Sequence, residues 1–522
     1  MCYLLTAARE FVLADGAPAS ADGLPPLEDP RFGVAGQGRS RALRRVWLDT
    51  FDWRLFRAGL TMEHQSGRGT AELLLTGRDG EIAAAHQAPG RLRWPCLIDD
   101  LPAGPLREHL TPVAGVRALL PVARATSVLT ERRGVNADDK TIAMLTIDRM
   151  TAAGPGRGPF AVRVAVRPLR GYQAEAGKLA DVLAAAPGVG PAAVSAFEQA
   201  LAAAGRKPGD YSSKIDVHLS DAMPATLAMV TVLVRLFDTA RANVDGTVRD
   251  IDTEFLHDLR IAVRRTRSVL KMAGSVLPDS MVSRYRPEFK WLGDLTTPTR
   301  DLDVYLLGYA AMTTSLVAGT PAELAPFREH LARQRAAAQR QLARGLRSAR
   351  FAALTRRWPA ELGQLGRSPG RRPATGKFAA RRIAAAHGRA LRCGSAIDPG
   401  SPPESLHELR KRCKELRYLL EVFASLHDPA EQWRAVNELK ALQDCLGEFQ
   451  DTEVQQAELR AFATQMMADR SAPAETLLAM GEIAARLAVR QRAARGEFAG
   501  RFAEFASPRG QARFGALTGA AS

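Results

Sequence analysis

The sequence is short of several things that would commit it to a particular chemistry. Cysteine occurs five times in 522 residues, as Cys2, Cys96, Cys393, Cys413 and Cys445, an odd number with no C-x-x-C pair. That spacing excludes a zinc ribbon and argues for reduced thiols, hence a cytoplasmic protein. Long apolar runs are missing: the stretch from Ala225 to Phe237 is broken by Arg235 and is too short to span a bilayer. The N-terminal MCYLLTAAREFVLADG lacks a basic stretch followed by a clean apolar one, so no secretory signal is expected. There is no G-x-S-x-G, P-loop or H-E-x-x-H, and no cofactor or metal is implied. Acid is also in short supply, with 56 Asp and Glu against 72 Lys and Arg and a net charge of +16. Such an excess favours an anionic partner, whether nucleic acid, acidic lipid or polyphosphate, although general Ala/Arg richness also produces it.

What is present divides the chain in two. Residues 1–205 read as a mixed α+β, β-rich domain with helical inserts. Ala71 to Thr76, Thr141 to Ile147 and Phe160 to Val166 are strand candidates, the last with alternating valines. AAGPGRGP between the later two reads as a loop, and Gly177 to Ala204 as helix. RKPGDYSS, at Arg206 to Ser213, is the expected boundary. From residue 214 the texture becomes Ala/Leu/Arg/Glu-rich with helical periodicity, which predicts an all-α domain over 214–507. Gly394 to Glu404 reads as a loop dividing this region, and the chain from Ser507 as a frayed tail.

Within the helical region one unit occurs twice. LHDLRIAVRRTRSVL begins at Leu256 and LHELRKRCKELRYLL at Leu406, so His257 and His407 lie 150 residues apart. The same offset pairs Arg260 with Arg410, Arg264 with Lys414, Arg267 with Arg417, Lys290 with Lys440, Asp294 with Asp444 and Asp301 with Asp451. One register kept over about 48 residues predicts two copies of a helical unit, about 214–370 and 375–507, related by approximate two-fold symmetry.

On a helix, His257, Arg260, Arg264, Arg267 and Lys271 share an arc of roughly 80° beside an apolar arc of Leu256, Leu259, Val263, Thr266 and Leu270. The second copy repeats the pattern over Leu406, Leu409, Cys413, Leu416 and Leu420, with Glu421 in place of Lys271. Like charges so arranged repel by a few tenths of a kcal/mol per pair. Either acids on neighbouring helices (Asp294, Asp301, Asp303; Asp444, Glu448, Asp451) neutralise the stripe, or it awaits an anion. Retention of the cations in both copies favours a linear polyanion as the ligand.

FLHDLRIAVRRTRSVLKMAGSVLP with KWLGDLTTPTRDLDV, and SLHELRKRCKELRYLLEVF with KALQDCLGEFQDTEV, resemble the CHAD family, the conserved-histidine α-helical domains. The resemblance covers about 214–507. It implies paired helical bundles whose basic residues line a groove or pore, binding of inorganic polyphosphate, and localisation to polyphosphate granules. Carried over, the polyphosphate-binding positions are His257, Arg260, Arg264, Arg265, Arg267, Lys271, Lys290, His407, Arg410, Lys411, Lys414, Arg417 and Lys440; Glu421 departs from the pattern. VWLDTFDWRLFRAGLTMEHQ, from Val46, resembles a CYTH domain, a triphosphate-tunnel fold whose active members hold divalent metal with an E-x-E-x-K strand and further carboxylates. Here Arg9, Glu10 and Phe11 offer no such motif, Met62, Glu63 and His64 replace basic positions, and Arg163, Ala165 and Arg167 stand where acids are expected. A wall so basic would hold a hard cation poorly. The domain is therefore expected to be degenerate and non-catalytic.

Three rivals remain. His257-Asp258 is similar to a metal-dependent phosphohydrolase dyad, but the second copy reads His407-Glu408 and keeps the basic positions, so the basic stripe is the shared element. Residues such as His218 and His387 read as surface or core rather than ligands. Nucleic-acid binding would suit basic helices, yet aromatics are only 6%, and Trp291, Tyr418 and Phe423 read as core. A scaffold with no ligand is the third.

Overall fold

The computed structural model describes residues 8–14, 24–68, 71–78, 82–87, 92–153, 158–367 and 373–519. Cys2 and the middle of AAGPGRGP lie outside them. The chain forms two compact units, Met1–Ser212 and Ser213–Ser522, each described by itself.

The first unit is built on β1 (Arg9–Leu13), β2 (Phe32–Asp49), β3 (Leu60–Ser66), β4 (Ala71–Gly77), β5 (Ile82–Gln87), β6 (Leu120–Asn136), β7 (Thr141–Ala152), β8 (Arg163–Pro168) and β9 (Val189–Pro191), with helices α1 (Arg54–Arg57), α2 (Pro105–Ala114), α3 (Gln173–Ala185) and α4 (Ala196–Ala203). The strands form one sheet in the order β5-β4-β3-β2-β6-β7-β8-β1-β9, every pairing antiparallel. Buried and exposed residues alternate along the middle of β6, and the pleat of β6 and β7 sorts side chains onto two faces. On one face α3 packs Leu179 and Leu183 over Leu145, Ile147, Val164 and Val166. On the same face α2 packs Leu106 and Leu110 over Met62, Leu73 and Leu75. The expected single helix over Gly177 to Ala204 is instead α3, β9 and α4. Pro187 and Gly188 interrupt it, with Gly188 at φ +76°, and Ser195 restarts a helix with a capping box to Glu198.

The second unit is helical: α5 (Ala225–Val248), α6 (Thr253–Met272), α7 (Asp279–Thr314), α8 (Pro321–Leu346), α9 (Ala349–Arg367), α10 (Thr375–Ser395), α11 (Pro403–Val422), α12 (Pro429–Ala468), α13 (Ala474–Ala506) and α14 (Pro508–Ala516). No strand occurs beyond residue 215 among the described residues. The helix bounds carry the repeat. α6 and α11 begin and end 150 residues apart, and α5 with α10 and α7 with α12 begin at the same spacing. The local chemistry of each start differs: Asp252 caps α6 by accepting from the amides of Glu254 and Phe255, whereas α11 opens on Pro402-Pro403.

Two expectations need correction. Gly394 to Glu404 joins α10 to α11 within the second copy, as the shorter link between α5 and α6 does in the first; the copies meet between α9 and α10. The chain after Ser507 is not frayed. Ser507 caps α14, and Phe514 is buried against Phe505 with His387 stacked on its ring, so apolar burial holds the terminus down.

One large core joins both copies, drawing Leu259, Val263 and Leu270 from α6 and Leu409, Cys413 and Leu416 from α11. A second core, around Tyr305, Phe327, Leu459 and Ile483, joins α7, α8, α12 and α13. There the Tyr305 hydroxyl donates to the Gln455 carbonyl at 3.2 Å. Residues 305 and 455 are equivalent positions of the repeat, so the two copies meet at this point.

Candidate polyanion-binding site

The apolar arcs of α6 and α11 are buried, which places the adjoining residues at their rim. Arg264, Arg267 and Lys271 are exposed, and His257, Arg260 and Arg265 are half-buried. On α11, Lys411 is exposed while His407, Arg410, Lys414 and Arg417 are half-buried; Lys290 and Lys440 are exposed on α7 and α12.

Two ion pairs set how the stripes meet. Arg265 donates to Glu421 at 2.7 Å, and Lys271 lies 3.8 Å from Glu415. By the repeat, 265 is equivalent to 415 and 271 to 421, so each pair is the counterpart of the other with its charges exchanged. The two helices therefore run antiparallel across a local pseudo-two-fold axis. Glu421, a departure in sequence, is the acid that ties α11 to α6, and it also accepts from Arg417 at 2.9 Å.

The remaining cations divide into held and unheld. Lys290 is held by Asp294 at 2.7 Å, Arg410 by Asp451 at 2.9 Å, and Arg260 lies 4.0 Å from Asp301. Lys411 lies 3.6 Å from Glu408. Asp303 and Glu448 serve elsewhere, pairing with Arg335 and Arg490. Among the described residues Arg264, Arg267, Lys414 and Lys440 have no acidic partner; Arg264 lies over the ring of Tyr418, 5.8 Å from its centre. A β-carbon at Gly293 would come within 2.9 Å of the Arg267 guanidinium, so the glycine lets that side chain lie across α7.

Sequence reasoning missed Arg300. It precedes Asp301 and is equivalent to Gln450, and one of its guanidinium nitrogens is buried with no hydrogen-bond partner. In the second copy the Gln450 amide oxygen accepts from His407 Nδ1 at 2.5 Å. In the first copy burial, then Arg300, holds His257 below the usual histidine range. The signal lay in the repeat alignment, where a cation stands opposite an amide. Burial likewise pushes Lys414 down to about 8, with Arg410 and Arg264 adding to the shift. Arg264 and Lys414 are equivalent residues of the two copies, so the field of one stripe reaches the other. A half-buried lysine depressed by neighbouring arginines favours an anion beside it.

A family model for the CHAD domain matches residues 231–460. The chain carries a CHAD domain. The solved CHAD domain of Ricinus communis is 23% identical, with 55% of this chain and 96% of that one covered and a TM-score of 0.47. PptA from Streptomyces chartreusis is 18% identical over 54% of this chain and 99% of that one, at 0.42. A putative adenylyl cyclase from Hippeastrum, described as having a dominant triphosphatase activity, is 10% identical over 39% of this chain and 99% of that one, at 0.26. Likenesses this low carry no argument; the family model assigns the CHAD domain. No curated relative matches the chain.

In the first unit the acids that could ligate a hard cation are engaged. The Arg45 guanidinium donates to Glu63 at 2.5 and 2.9 Å and to Asp148 at 2.7 Å, and Arg163 donates to Glu10 at 2.5 Å. These side chains share one face of the sheet, and Arg45, Glu63 and Asp148 are each about nine-tenths buried. Among the described residues no group of three or more His, Cys, Asp or Glu could hold a metal ion. The residues present do not fit a divalent cation, because a fixed guanidinium already neutralises them. No helix among the described residues is long and apolar enough to cross a membrane.

Proposed function

We propose that the CHAD domain binds inorganic polyphosphate without turning it over, along a basic surface to which both copies of the repeat contribute. The observation that carries this reading is the set of cations without an acidic partner among the described residues, Arg264, Arg267, Lys414 and Lys440, drawn from both copies, with Arg264 of one copy adding to the burial that depresses Lys414 of the other. His257, Arg260, Arg265, Lys271, Lys290, His407, Arg410, Lys411 and Arg417 complete the surface, several of them oriented by an acid. Guanidinium forks grip phosphate oxygens in bidentate fashion and stay charged, while a flexible linear polymer needs no base-reading aromatics. The sheet unit is proposed not to hydrolyse triphosphate, since Glu10, Glu63 and Asp148 are held by arginines. Through its ligand the protein would associate with polyphosphate granules in the cytoplasm.

The test is calorimetric titration with polyphosphates of defined length. Affinity should rise with chain length, level off when the surface is filled, and fall steeply with salt as counterion release requires. The double reversal Arg264→Glu/Lys414→Glu should abolish binding with helix content unchanged, and each single change should leave part of it. Wild-type affinity in the double variant would defeat the proposal, as would equal competition by single-stranded nucleic acid at matched phosphate.

A further inference from the structure

The first unit carries a second basic surface, separate from its buried Arg45 network. On the helix-covered face of the sheet, α3 shields the β7-β8-β1 flank and α2 the β3-β4 flank. Among the described residues no helix covers the centre of that face, on β2, β6 and β7. Register places Arg44 opposite Thr126, Thr126 opposite Thr151, Ala42 opposite Val128, Val128 opposite Arg149, and Val46 opposite Arg124. Arg44, Arg124, Arg149, Ala42, Thr126 and Thr151 are exposed, and Val128 is 44% exposed.

The strip contains three arginines and no acid. Ser40 and Ser66, which border Ala42 and Arg44, are neutral as well. Among the described residues none of the three guanidinium groups has an ion pair or hydrogen bond, in contrast to those of Arg9, Arg31, Arg45 and Arg163 of the same unit. Strand geometry sets Arg44 about 8 Å from Arg124 and about 12 Å from Arg149 at the backbone. The three cations thus rise from a rigid sheet as a triangle, with Arg124 and Arg149 on opposite sides of the row formed by Arg44, Thr126 and Thr151. An antiparallel sheet that leaves one face to water ordinarily intersperses both signs of charge, so a single-sign strip is complementary to a polyanion. No aromatic side chain lies among these positions, so bases would find nothing to stack on.

We infer that this strip is a second attachment surface for a phosphate polymer, and that it engages the same inorganic polyphosphate chain the CHAD domain takes. The identity of the polymer rests on the proposed function; the existence of an anion surface on the sheet does not. A second attachment raises the overall affinity for chains long enough to be shared, without any new contact at the first site.

The experiment uses the full chain and sodium polyphosphate of a short and a long defined length, in calorimetry at low and moderate salt. Four proteins are compared: wild type, the groove variant Arg264→Glu/Lys414→Glu, the sheet variant Arg44→Glu/Arg124→Glu/Arg149→Glu, and their combination. The sheet variant should lose tenfold or more in affinity for the long polymer and little for the short one. The groove variant should keep weak, salt-sensitive binding that the combined variant lacks. Residual binding in the groove variant that survives the added sheet reversals, or a sheet variant that matches wild type on both lengths, would overturn the inference. A groove variant that binds normally while the sheet variant fails would sink the CHAD reading and leave the sheet surface standing. Residual binding displaced by single-stranded nucleic acid at matched phosphate would overturn the choice of polymer. Arg→Gln replacements at the same three sites, with unchanged thermal unfolding, guard against a folding defect and should give the same loss in weaker form.

Discussion

Replacing Glu421 by Gln should make the protein less stable and a better polyanion binder at once. Glu421 is about one-fifth exposed and accepts from both Arg265, at 2.7 Å, and Arg417, at 2.9 Å. An exposed pair is worth at most about 1 kcal/mol, and stripping one partner from a fully buried pair costs about 3–5. This intermediate case, with an amide still able to accept one bond, should cost about 1–2 kcal/mol. At about 2–4 °C per kcal/mol for a unit of this size, that lowers the thermal midpoint by about 2–8 °C. Binding moves the other way. For a phosphate bound about 7 Å from Glu421 in water-like surroundings, removing the negative charge would gain about 0.6 kcal/mol, or about threefold in Kd. Two freed arginines also steepen the salt dependence, by up to about 0.7–0.9 in the log–log slope for each new phosphate contact. Differential scanning fluorimetry and calorimetric titration with long-chain polyphosphate read the two effects. A lowered midpoint with unchanged or weaker affinity would refute the reasoning, since the charge of Glu421 would then not be felt where the polymer lies.

Lys414 supplies a proton-linkage test. Its pKa is pushed down to about 8, so at pH 8.5 polyphosphate binding should take up protons and its heat should vary with the buffer's ionisation enthalpy, which Lys414→Arg should abolish. Without ligand the sign is opposite to a salt bridge: charged Lys414 costs stability below pH 8, and the cost fades as pH rises towards the ordinary lysine value of about 10.4, so Lys414→Met should stabilise the fold at pH 7 and not at pH 10. Because burial and Arg300 hold His257 below the usual histidine range, any gain in affinity on acidification that it supplies should appear at a lower pH than the ordinary histidine value of about 6.5. Arg45→Met leaves Glu63 and Asp148 buried without a counter-charge; the sheet unit should lose about 3–5 kcal/mol at pH 7 and recover part of it as pH falls and the acids protonate, as thermal unfolding across pH would show. Phe514→Ala should cost about 3–5 kcal/mol, measured by chemical denaturation, if α14 belongs to the core.

Local information carried a long way in the helical half. The apolar and basic arcs of α6 and α11 follow from helical periodicity alone, and the repeat of His257 by His407 fixes equivalent positions without any tertiary knowledge. The sheet half was legible only in part: alternation marks β7 and β8, but the long pairing of β2 with β6 depends on partners from 71 (Asp49 with Leu120) to 104 (Phe32 with Asn136) residues apart. Two readings failed for the same reason. The stretch from Ser507 is polar and glycine-containing, and only the cavity beside His387 and Phe505 makes Phe514 worth ordering. Glu421 reads as a flaw in a stripe until α6 is laid antiparallel against α11, when it becomes the partner of Arg265. Sequence alone determined which side chains could share a face, because that depends on the pitch of one helix or the pleat of one strand. Tertiary structure decided which cations are spent on acids and which stay unpaired, because a charge's partner is set by proximity between segments some 150 residues apart, and no local pattern encodes that distance.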